Sequence, residues 1–444
     1  MKKFQFIYVL LTSLLFVACA ESDDLLVNET NAVKENPYEI SIESAMQTLE
    51  TMFPEMMRTT RVGASEVKTL RRSDLGMATR ADDADPQAPI AYIIPLANNG
   101  CAIMGADVRQ ERLYAALEST TLTPDDIARA FQQQQTTRSE NTADSGGADS
   151  EFEQIDDIKE FSSGLIADAI IKDLEFFDEK ETDIVPMSNN NWDTIVEISD
   201  TIFLKTKWHQ YPPFNNRMPM INYQQRLPAG CAAIAMAQIL YYLHTPHVIN
   251  SYTIDWELLE WLEYYFYNYA SEQSFDAAAD FVYNIRELMG YDYPNGATPS
   301  DNGDLICFKT AVTNSARKIM GINTSLIQNM LFNNLPVYMQ GSRLVASTPE
   351  TKEYTGHAWV LDGYKFIEKY IYEDGYQIDY SIKRYVHCNY GWRGECDGYY
   401  TLGIFDCREE LDEDMVDITS GDIISSNNYY YDSLFSFLYY NYQL

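Results

Sequence analysis

Cysteine is scarce in this chain, with seven residues among 444, an odd total. Disulfide scaffolds are much shorter and much richer in cysteine, so disulfides do not build this fold, and at least one thiol lies outside any intramolecular pair. Histidine is scarcer still, with five residues, so few side chains can act as a base near neutral pH. Each candidate for acid–base chemistry can therefore be weighed individually.

Positive charge is also in short supply. Lys and Arg number 32 against 66 Asp and Glu, which gives a formal net charge of −34. A surface of that sign repels phosphate backbones and anionic lipid headgroups, so we expect no nucleic-acid partner. Beyond the first residues the sequence has no internal repeat and no apolar run of the roughly 20 residues needed to cross a bilayer.

Apolar and aromatic side chains are, by contrast, abundant. Hydrophobic residues make up 46% of the chain, which includes 33 Tyr, 20 Phe and 6 Trp. This composition is far from that of disordered proteins. Because 444 residues exceed the usual domain length of about 100–200 residues, we expect at least two folded units with real cores.

The N-terminus has the pattern of a bacterial lipoprotein signal. Two lysines precede a short apolar run from Phe4 to Leu15, and a small residue stands directly before Cys19. We interpret residues 1–18 as a signal peptide, Cys19 as the lipidated first residue of the exported chain and residues 19–36 as a tether. The only expected membrane attachment is the lipid on Cys19, at the outer membrane or the cell surface.

The remaining chain divides by composition. Residues 37–131 carry helical spacing from Ser41 to Phe53 and a strand pattern from Ile90 to Leu96, so they are predicted to form a first unit. Residues 132–150 begin with four glutamines, lack apolar residues and are predicted to form an exposed linker. A second, larger unit then spans residues 151–444, and its first part repeats the helical spacing.

Cys231 has the setting of a nucleophile. A Pro-Ala-Gly turn precedes it, and an apolar run from Ala232 to Leu240 predicts a buried helix that begins at the cysteine. The unpaired backbone N–H groups and the positive end of the helix dipole favour the thiolate, which is the nucleophilic form. A lone buried cysteine is more often structural, so this interpretation requires a base.

His357 is the best candidate for that base. It stands at the start of an alternating strand within Gly356–Gly363, and a second strand pattern covers Lys383–Tyr390. If the two strands pair antiparallel, Asn389 lies beside His357, where its amide oxygen would orient the imidazole. The order Cys, His, Asn along the chain, with these separations, is typical of papain-type sites.

Five blocks of the chain, taken in order, resemble the streptopain family of papain-fold cysteine peptidases. The resemblance spans roughly residues 190–402. It implies an α+β fold in which a helical subdomain and an antiparallel β subdomain follow a smaller α+β propeptide domain. It also implies protein or peptide substrates, no cofactor and no metal. The blocks are Trp208–Asn215, Ala229–Ile239, Pro336–Gly341, Gly356–Gly363 and Asn389–Gly394, the last followed by Asp397–Tyr400.

The resemblance assigns a role to each site residue. Cys231 is the nucleophile, His357 the general base and acid, and Asn389 the orienting residue. Gln210 supplies a side-chain donor to the oxyanion hole. The implied substrate-binding residues are Gly230, Tyr338, Gln340, Gly341 and Trp392.

A block farther upstream resembles the inhibitory propeptide of such peptidases. It comprises Ala91–Ile94 and Gly100–Asp107. The resemblance implies a zymogen in which residues 37–131 cover the cleft and act as the chain's own inhibitor. Activation would follow a cut in the linker 132–150, where Arg138 offers a basic cleavage site, and such a cut could release the peptidase from its lipid anchor.

Two departures from the family pattern leave alternatives open. Tyr390 stands where the family usually has Trp, and Arg393 where it has Gly. One alternative is a catalytically idle papain-like surface lipoprotein used for binding or adhesion. Another is a transglutaminase-like acyl transferase, but that chemistry commonly uses Asp as the orienting residue, so Asn389 favours a peptidase. Retention of the other site residues argues against the idle module.

Other reactive residues have simpler interpretations. His244 and His247 flank a Thr-Pro pair after the nucleophile helix and lack carboxylate or thiol companions. A solvated helix end is therefore favoured over a metal site. An exported protein can also form disulfides, and the sequence leaves open any pairing among Cys388, Cys396 and Cys407.

Overall fold

One mixed β-sheet with helices packed against it dominates the molecule. The computed structural model describes residues 38–57, 63–76, 85–107, 113–140, 150–154, 157–179, 193–264, 266–291, 302–347, 352–373, 376–405 and 434–442. The expected signal peptide (1–18), tether (19–36) and lipidation site Cys19 lie outside these ranges. Within them, no helix combines the length and the apolarity needed to cross a membrane.

Nine α-helices lie in the described residues. They are α1 (Ile42–Met52), α2 (Pro54–Met57), α3 (Pro124–Glu140), α4 (Ile158–Glu179), α5 (Cys231–Leu243), α6 (Trp256–Glu260), α7 (Glu272–Leu288), α8 (Gly303–Ala311) and α9 (Thr324–Phe332).

The strands of the described residues fall into two groups along the chain. The first eight are β1 (Lys68–Arg71), β2 (Pro89–Pro95), β3 (Cys101–Gly105), β4 (Ala115–Leu117), β5 (Ser150–Gln154), β6 (Asp193–Ile202), β7 (Val248–Ile249) and β8 (Tyr252–Thr253). The later six are β9 (Arg317–Met320), β10 (Val337–Ser347), β11 (Lys352–Glu373), β12 (Tyr376–Asn389), β13 (Gly398–Thr401) and β14 (Leu434–Tyr439).

Twelve of these strands form one sheet in the order β1-β2-β3-β4-β13-β12-β11-β10-β14-β9, and β5 and β6 both pair with β11. The pairing of β5 with β11 is parallel, and the other pairings of this sheet are antiparallel. β7 and β8 make a separate hairpin. The predicted α+β class is therefore confirmed, with the helices α5–α9 falling between β6 and β11 along the chain.

Local sequence patterns account for several elements. α1 begins after Ser41, whose hydroxyl accepts a hydrogen bond from the Ser44 N–H and so satisfies one free donor of the first turn. Its apolar side chains bury one face, as the helical spacing predicts. β2 matches the predicted strand, and α4 matches the helical spacing after the linker.

The N-terminal residues and the rest of the chain share one sheet, and both contribute to two buried apolar clusters. β4 pairs with β13, so the strands β1–β4 extend the sheet of the C-terminal part. Around α1, Phe53 and Tyr92 pack in the same apolar cluster as Ile367, Tyr385 and Tyr399. The chain from residue 37 onward is a single compact unit. Apolar side chains of the expected first unit, 37–131, therefore pack together with side chains of 151–444, and the predicted boundary stays a prediction.

The predicted linker differs from the structure in its first half. α3 continues to Glu140, so residues 132–140, with Arg138 among them, are helical rather than irregular. Gln132 and Gln133 are exposed, as a linker requires, but glutamine is also a good helix former, and polarity alone does not end a helix. Residues 141–149 lie outside the described ranges.

The tyrosine-rich end of the chain contributes an inner strand. β14 lies between β10 and β9. The Tyr440 hydroxyl donates to the Pro336 carbonyl at 2.7 Å, and Phe435 of β14 lies opposite Gly341 of β10. The last residues of the chain thus pack directly behind the strand that was expected to line the substrate cleft.

Candidate active site

The loop before Cys231 leaves no room for a side chain at Gly230. Gly230 is the N-cap of α5 and has φ 93° and ψ 132°, a conformation that favours glycine. A Cβ built there would lie 2.8 Å from the Tyr291 hydroxyl oxygen. The backbone therefore passes too close to Tyr291 for any other residue, and this passage fixes how Cys231 is presented at the start of the helix.

Arg286 holds the same loop from the other side. This side chain of α7 is almost fully buried, and its Nη1 donates to the carbonyl oxygens of Ala229 at 2.8 Å and Pro228 at 3.1 Å. The guanidinium carbon also lies 4.1 Å from the centroid of the Tyr291 ring, within cation–π range. Arg286 is not among the residues expected from the sequence, although an arginine on the buried face of an amphipathic helix is a signal for such a role.

The Cys231 sulfur faces backbone donors but is not activated in this structure. Burial raises the pKa of the thiol, and the N–H groups of Ala358, Ala232 and Cys231 itself lower it by less. The predicted preference for thiolate is therefore not met here, because desolvation outweighs the helix N-terminus. The hydrogen bond from Ala358 nevertheless brings the sulfur to the strand that carries His357.

His357 lies on β11, opposite Gly341 of β10, and is buried. Its Nε2 is 2.8 Å from the Tyr390 carbonyl oxygen, so Nε2 carries the proton and Nδ1 is the basic nitrogen. Within the described residues Nδ1 has no hydrogen-bond partner. Burial lowers the pKa of His357 to about 4, against the opposing effect of the Tyr390 carbonyl, so the imidazole is neutral.

Aromatic rings surround the His357 imidazole. The ring of Trp359 stacks parallel to it, with centroids 6.3 Å apart. Tyr390 and Trp392 lie at 5.9 and 6.5 Å, so both aromatic positions that follow Asn389 shield the base. Phe161 of α4 completes the enclosure at 5.8 Å. The histidine is therefore closed off from water on the side where α4 lies.

The Asn389 amide does not orient His357 in this structure, contrary to the sequence-based expectation. On β11, Asn389 lies opposite Val360, three residues beyond His357. The Asn389 Oδ1 accepts from Gln238 Nε2 at 3.1 Å and from the Gly391 N–H at 3.1 Å. Both lone pairs are thus used, and the Tyr390 carbonyl takes the expected role of Asn389.

Gln210 lies in the loop that precedes the nucleophile segment. Its carbonyl oxygen accepts from the Ala229 N–H at 2.8 Å, which ties it to the residues just before Cys231. The neighbouring His209 bridges to Trp392, so this loop also contacts the segment after Asn389. The side chain of Gln210 is buried, and its predicted oxyanion role stays a prediction.

The residues expected to bind substrate have different surroundings. Tyr338 is fully buried on β10 and is not accessible to a substrate here. Gln340 Oε1 accepts from Lys318 Nζ at 3.1 Å. A Cβ on Gly341 would lie 2.6 Å from the Phe435 ring, so packing of β14 requires this glycine. Trp392 is partly exposed and lies beside the His357 ring, as a cleft residue should.

A charged network joins β12 to the residues after β4. His387 Nδ1 lies 2.5 Å from Asp362 Oδ1, and its Nε2 lies 3.2 Å from Glu118 Oε1. Glu118 also pairs with Lys207 Nζ at 3.0 Å. Burial lowers the pKa of His387, but Asp362 and Glu118 outweigh it and raise the value to about 10. The buried imidazole is therefore charged, whereas alternation along the strand indicates only a packing residue.

A second buried cation also lies where the N-terminal residues meet the C-terminal strands. Lys365 of β11 pairs with Glu55 Oε1 at 2.9 Å and Asp200 Oδ2 at 2.8 Å. Its Nζ also lies 4.3 Å from the centroid of the Phe53 ring. Since Glu55 and Phe53 belong to the N-terminal residues, Lys365 and the His387 network both attach that region to the C-terminal strands.

A cleft of about 650 Å³ opens between the same two parts of the chain, and Glu55, Glu118 and Asp200 are among its lining residues. The predicted site residues do not line it, so it is distinct from the cysteine site. In the described ranges no group of three or more His, Cys, Asp or Glu side chains could hold a metal. The cysteines described there, including Cys388 and Cys396, are free thiols, and Cys407 lies outside those ranges.

Comparison with known proteins shows what this chain is similar to. Residues 208–400 match the model of the Peptidase C10 family, a segment that contains Gln210, Cys231, His357 and Asn389. A solved fragment of Prevotella intermedia prointerpain A is 16% identical, with a TM-score of 0.47 over 85% of this chain and 99% of the fragment. The active interpain A cysteine protease of the same organism is 23% identical, with a TM-score of 0.35 over 46% of this chain and 86% of that protein. No curated protein matches the chain.

Proposed function

Because residues 208–400 belong to the Peptidase C10 family, the streptopain family, this chain is a cysteine peptidase, and we propose that it is an endopeptidase made as a latent zymogen. The observation that carries the proposal is that three elements meet. Cys231 at the start of α5 accepts from the N–H of Ala358, which follows His357 on β11, and Phe161 of α4 packs against the His357 ring. The first two supply a nucleophile and a base. The third keeps the pair uncharged.

In the active form, Cys231 and His357 form a thiolate–imidazolium pair. The thiolate adds to the carbonyl carbon of the scissile peptide bond, and the backbone N–H of Cys231 and the Gln210 amide donate to the developing oxyanion. His357 gives its proton to the leaving amine, the C–N bond breaks, and an acyl-enzyme remains. Water, deprotonated by His357, attacks the thioester and regenerates the thiolate.

Latency follows from desolvation. Burial raises the pKa of the Cys231 thiol and lowers the pKa of His357 to about 4, so both charged forms of the catalytic pair are disfavoured together. Moving the cover away readmits water, which reverses both shifts. Proton transfer from the thiol to the imidazole then becomes favourable without any new contact.

We assign α4 to the inhibitory region, together with residues 37–131. Tyr114 donates to Asp173 of α4 at 2.6 Å, and Lys159 of α4 pairs with Asp126 of α3 at 3.0 Å. A cut within 132–150 leaves α4 joined to the peptidase region. Activation therefore also requires α4 to leave the His357 ring, by rearrangement or by a further cut.

The proposal includes export. The residues before Cys19 support a lipoprotein signal, which would attach the zymogen to the outer membrane or the cell surface. Cleavage between the anchor and the peptidase region would then free the mature enzyme. A Cys19→Ala variant that partitions with membranes as the parent does would refute the lipid anchor.

The test uses the full chain after processing and a peptide carrying a thiol-directed electrophile. We expect mass spectrometry to find the adduct on Cys231, with no adduct and no casein cleavage in Cys231→Ala. Cys307→Ala, which removes a buried thiol elsewhere, should leave both unchanged. Gln210→Ala should lower kcat by about 10²–10³-fold. A processed Cys231→Ala protein that still cleaves casein would refute the mechanism, and absence of any adduct on Cys231 would favour the idle binding module.

A further inference from the structure

Gln238 is a polar side chain in the apolar interior of the nucleophile helix. It lies two turns after Cys231 on α5 and is fully buried. The other buried members of this helix are Ala, Ile, Leu, Met and Tyr side chains. Burying an amide at such a position costs free energy unless its hydrogen bonds are made. The contacts of Gln238 therefore indicate what it does.

The partners of Asn389 fix the orientation of both amides. The Gly391 N–H can only donate, so it identifies Asn389 Oδ1, at 3.1 Å. The Thr206 carbonyl can only accept, so it identifies Asn389 Nδ2, at 2.7 Å. Gln238 must then donate through Nε2 to Asn389 Oδ1, at 3.1 Å.

The other end of the Gln238 amide is anchored as well. Its Oε1 accepts from the Thr206 hydroxyl at 2.7 Å and, at 3.5 Å, from the Trp208 N–H. Thr206 and Trp208 precede the loop that carries Gln210. One buried amide thus connects the nucleophile helix, the segment before Gln210 and the turn that begins at Asn389.

The turn after Asn389 contacts His357, the proposed base. Tyr390 donates its N–H to Asp397 Oδ1 at 2.9 Å, and its carbonyl oxygen lies 2.8 Å from His357 Nε2. Asn389 Oδ1 has both lone pairs engaged by Gln238 and Gly391. Asn389 therefore acts on His357 through the backbone it holds rather than through its own amide.

We propose that Gln238 is a positioning residue for the peptidase reaction: it holds the Asn389 amide, which sets the Tyr390 carbonyl that keeps the His357 Nε2–H in place and Nδ1 free. The inference rests on the proposed function of Cys231 and His357. Gln238 touches neither substrate nor reacting atoms. Its loss moves the base, and misplacement by about 1 Å can cost about 100-fold in rate.

Two substitutions separate positioning from packing. Gln238→Glu keeps the shape and the acceptor for Thr206 but turns the donor toward Asn389 into a second acceptor. Gln238→Met keeps the volume and removes all hydrogen bonds. We expect kcat of the processed enzyme to fall about 10–100-fold in each, with KM changed less than about threefold. Met236→Leu, a buried apolar exchange on the same helix, should leave kcat unchanged.

The pH dependence of kcat/KM provides a second measurement, and a change in packing alone would not alter it. The Tyr390 carbonyl raises the pKa of His357, because an accepting carbonyl favours the imidazolium. Loosening that contact lowers the pKa, so the basic limb of kcat/KM should shift to lower pH in both Gln238 variants. Among the described residues, the titratable side chain that packs against the His357 ring is that of Tyr390, whose pKa burial raises far above neutrality. Cys231 is the group whose proton His357 takes in the proposed mechanism.

A double-mutant cycle completes the test. In an Asn389→Ala background, Gln238→Glu should cost less than about twofold in kcat, because the connection is already broken. An unchanged kcat and pH profile in the Gln238 variants, or equal penalties with and without Asn389, would overturn the inference. If α5 tolerates neither substitution, Thr206→Val removes the anchor of Gln238 and must shift the basic limb in the same direction. Labelling of Cys231 in the parent enzyme tests the proposed function separately.

Discussion

The ring of Phe161 on α4 packs against the His357 imidazole, with ring centroids 5.8 Å apart and an interplanar angle of 60°. Phe161 also contacts Trp359 and Tyr390, at 5.7 and 6.3 Å, so one side chain covers the base and two of the rings that surround it.

Replacing Phe161 with Ala should therefore weaken latency. We expect Cys231 in the unprocessed full chain to react with a thiol-directed peptide electrophile at least tenfold faster, because water and probe reach His357. The free energy of unfolding should fall by about 3–5 kcal/mol, as for other buried Phe→Ala changes. Phe131→Ala, which empties a buried position on α3, is the matched control. Equal labelling rates in the two variants would show that Phe161 has no special role.

Glu118 should hold the N-terminal region onto β12. Glu118→Gln removes the carboxylate from His387 and Lys207 and leaves Asp362 as the carboxylate hydrogen-bonded to the buried imidazolium. We expect the free energy of unfolding to fall by about 1–3 kcal/mol in urea titrations. Cys231 labelling in the full chain should rise, and added salt should increase it less than in the parent. Glu395→Gln changes an exposed carboxylate and should alter neither quantity.

The His387 network also predicts a pH dependence of stability. His387 has a pKa raised to about 10 from 6.5, so its contribution is complete below pH 6.5 and is lost as the pH rises toward 10. Glu118, with a pKa lowered to about 2 from 4.5, loses its contribution only below pH 4.5. The buried Asp397 carboxyl changes stability with pH in the same direction as His387. Burial raises its pKa to about 7 from 3.8, against the opposing effects of Lys207 and His387, so stability falls as the pH rises.

Urea unfolding at pH 6 and pH 9.5 tests the direction of this pH dependence of stability. The parent should be less stable at pH 9.5, and His387→Asn should lose much of that difference while being less stable at pH 6. His244→Asn, at an exposed histidine, should keep the parental dependence. A parent protein that gains stability between these pH values would contradict a charged, buried His387.

Gly230→Ala should distort the active site without creating a cavity. The added Cβ would meet the Tyr291 hydroxyl at 2.8 Å, at a residue whose φ is 93°. We expect a loss of about 1–3 kcal/mol in unfolding free energy and a fall in the Cys231 labelling rate of the processed enzyme. Gly403→Ala, where a Cβ has open space, should change neither. Combining Gly230→Ala with Tyr291→Phe should recover only part of the loss, because the backbone strain remains.

Local patterns in the sequence predicted where Cys231 and His357 lie in the fold. Cys231 lies at the junction of a turn and an apolar helix, and His357 near the start of a strand, and both features depend on a few neighbouring residues. The streptopain resemblance is confirmed by the family match over residues 208–400. The predicted helix start at Cys231 and the strand at His357 are confirmed, because backbone conformation at such junctions is set by nearby glycines and by hydrophobic periodicity. Their catalytic roles stay predictions.

Contacts between distant segments could not be read in the same way. Asn389 lies opposite Val360, three residues beyond His357, and no periodicity in either strand reveals this register. The hydrogen bonds of the Gln238 amide could not be predicted for the same reason, since its partners are remote in sequence. α4 carries apolar side chains on most of its surface, which predicts burial but not whether the partner is the N-terminal region or the peptidase.

Because β4 pairs with β13, cleavage of the chain and release of the N-terminal region would be two separate events. Leu117 lies opposite Gly398, Ala115 lies opposite Tyr400, and the Glu118 N–H donates to the Asp397 carbonyl at 3.0 Å. A severed N-terminal region would still be held by this ladder as a non-covalent inhibitor. The appearance of activity would then follow strand dissociation, a first-order step whose rate does not depend on how much activating protease is present. Activity after cleavage would rise with a lag set by the protein itself.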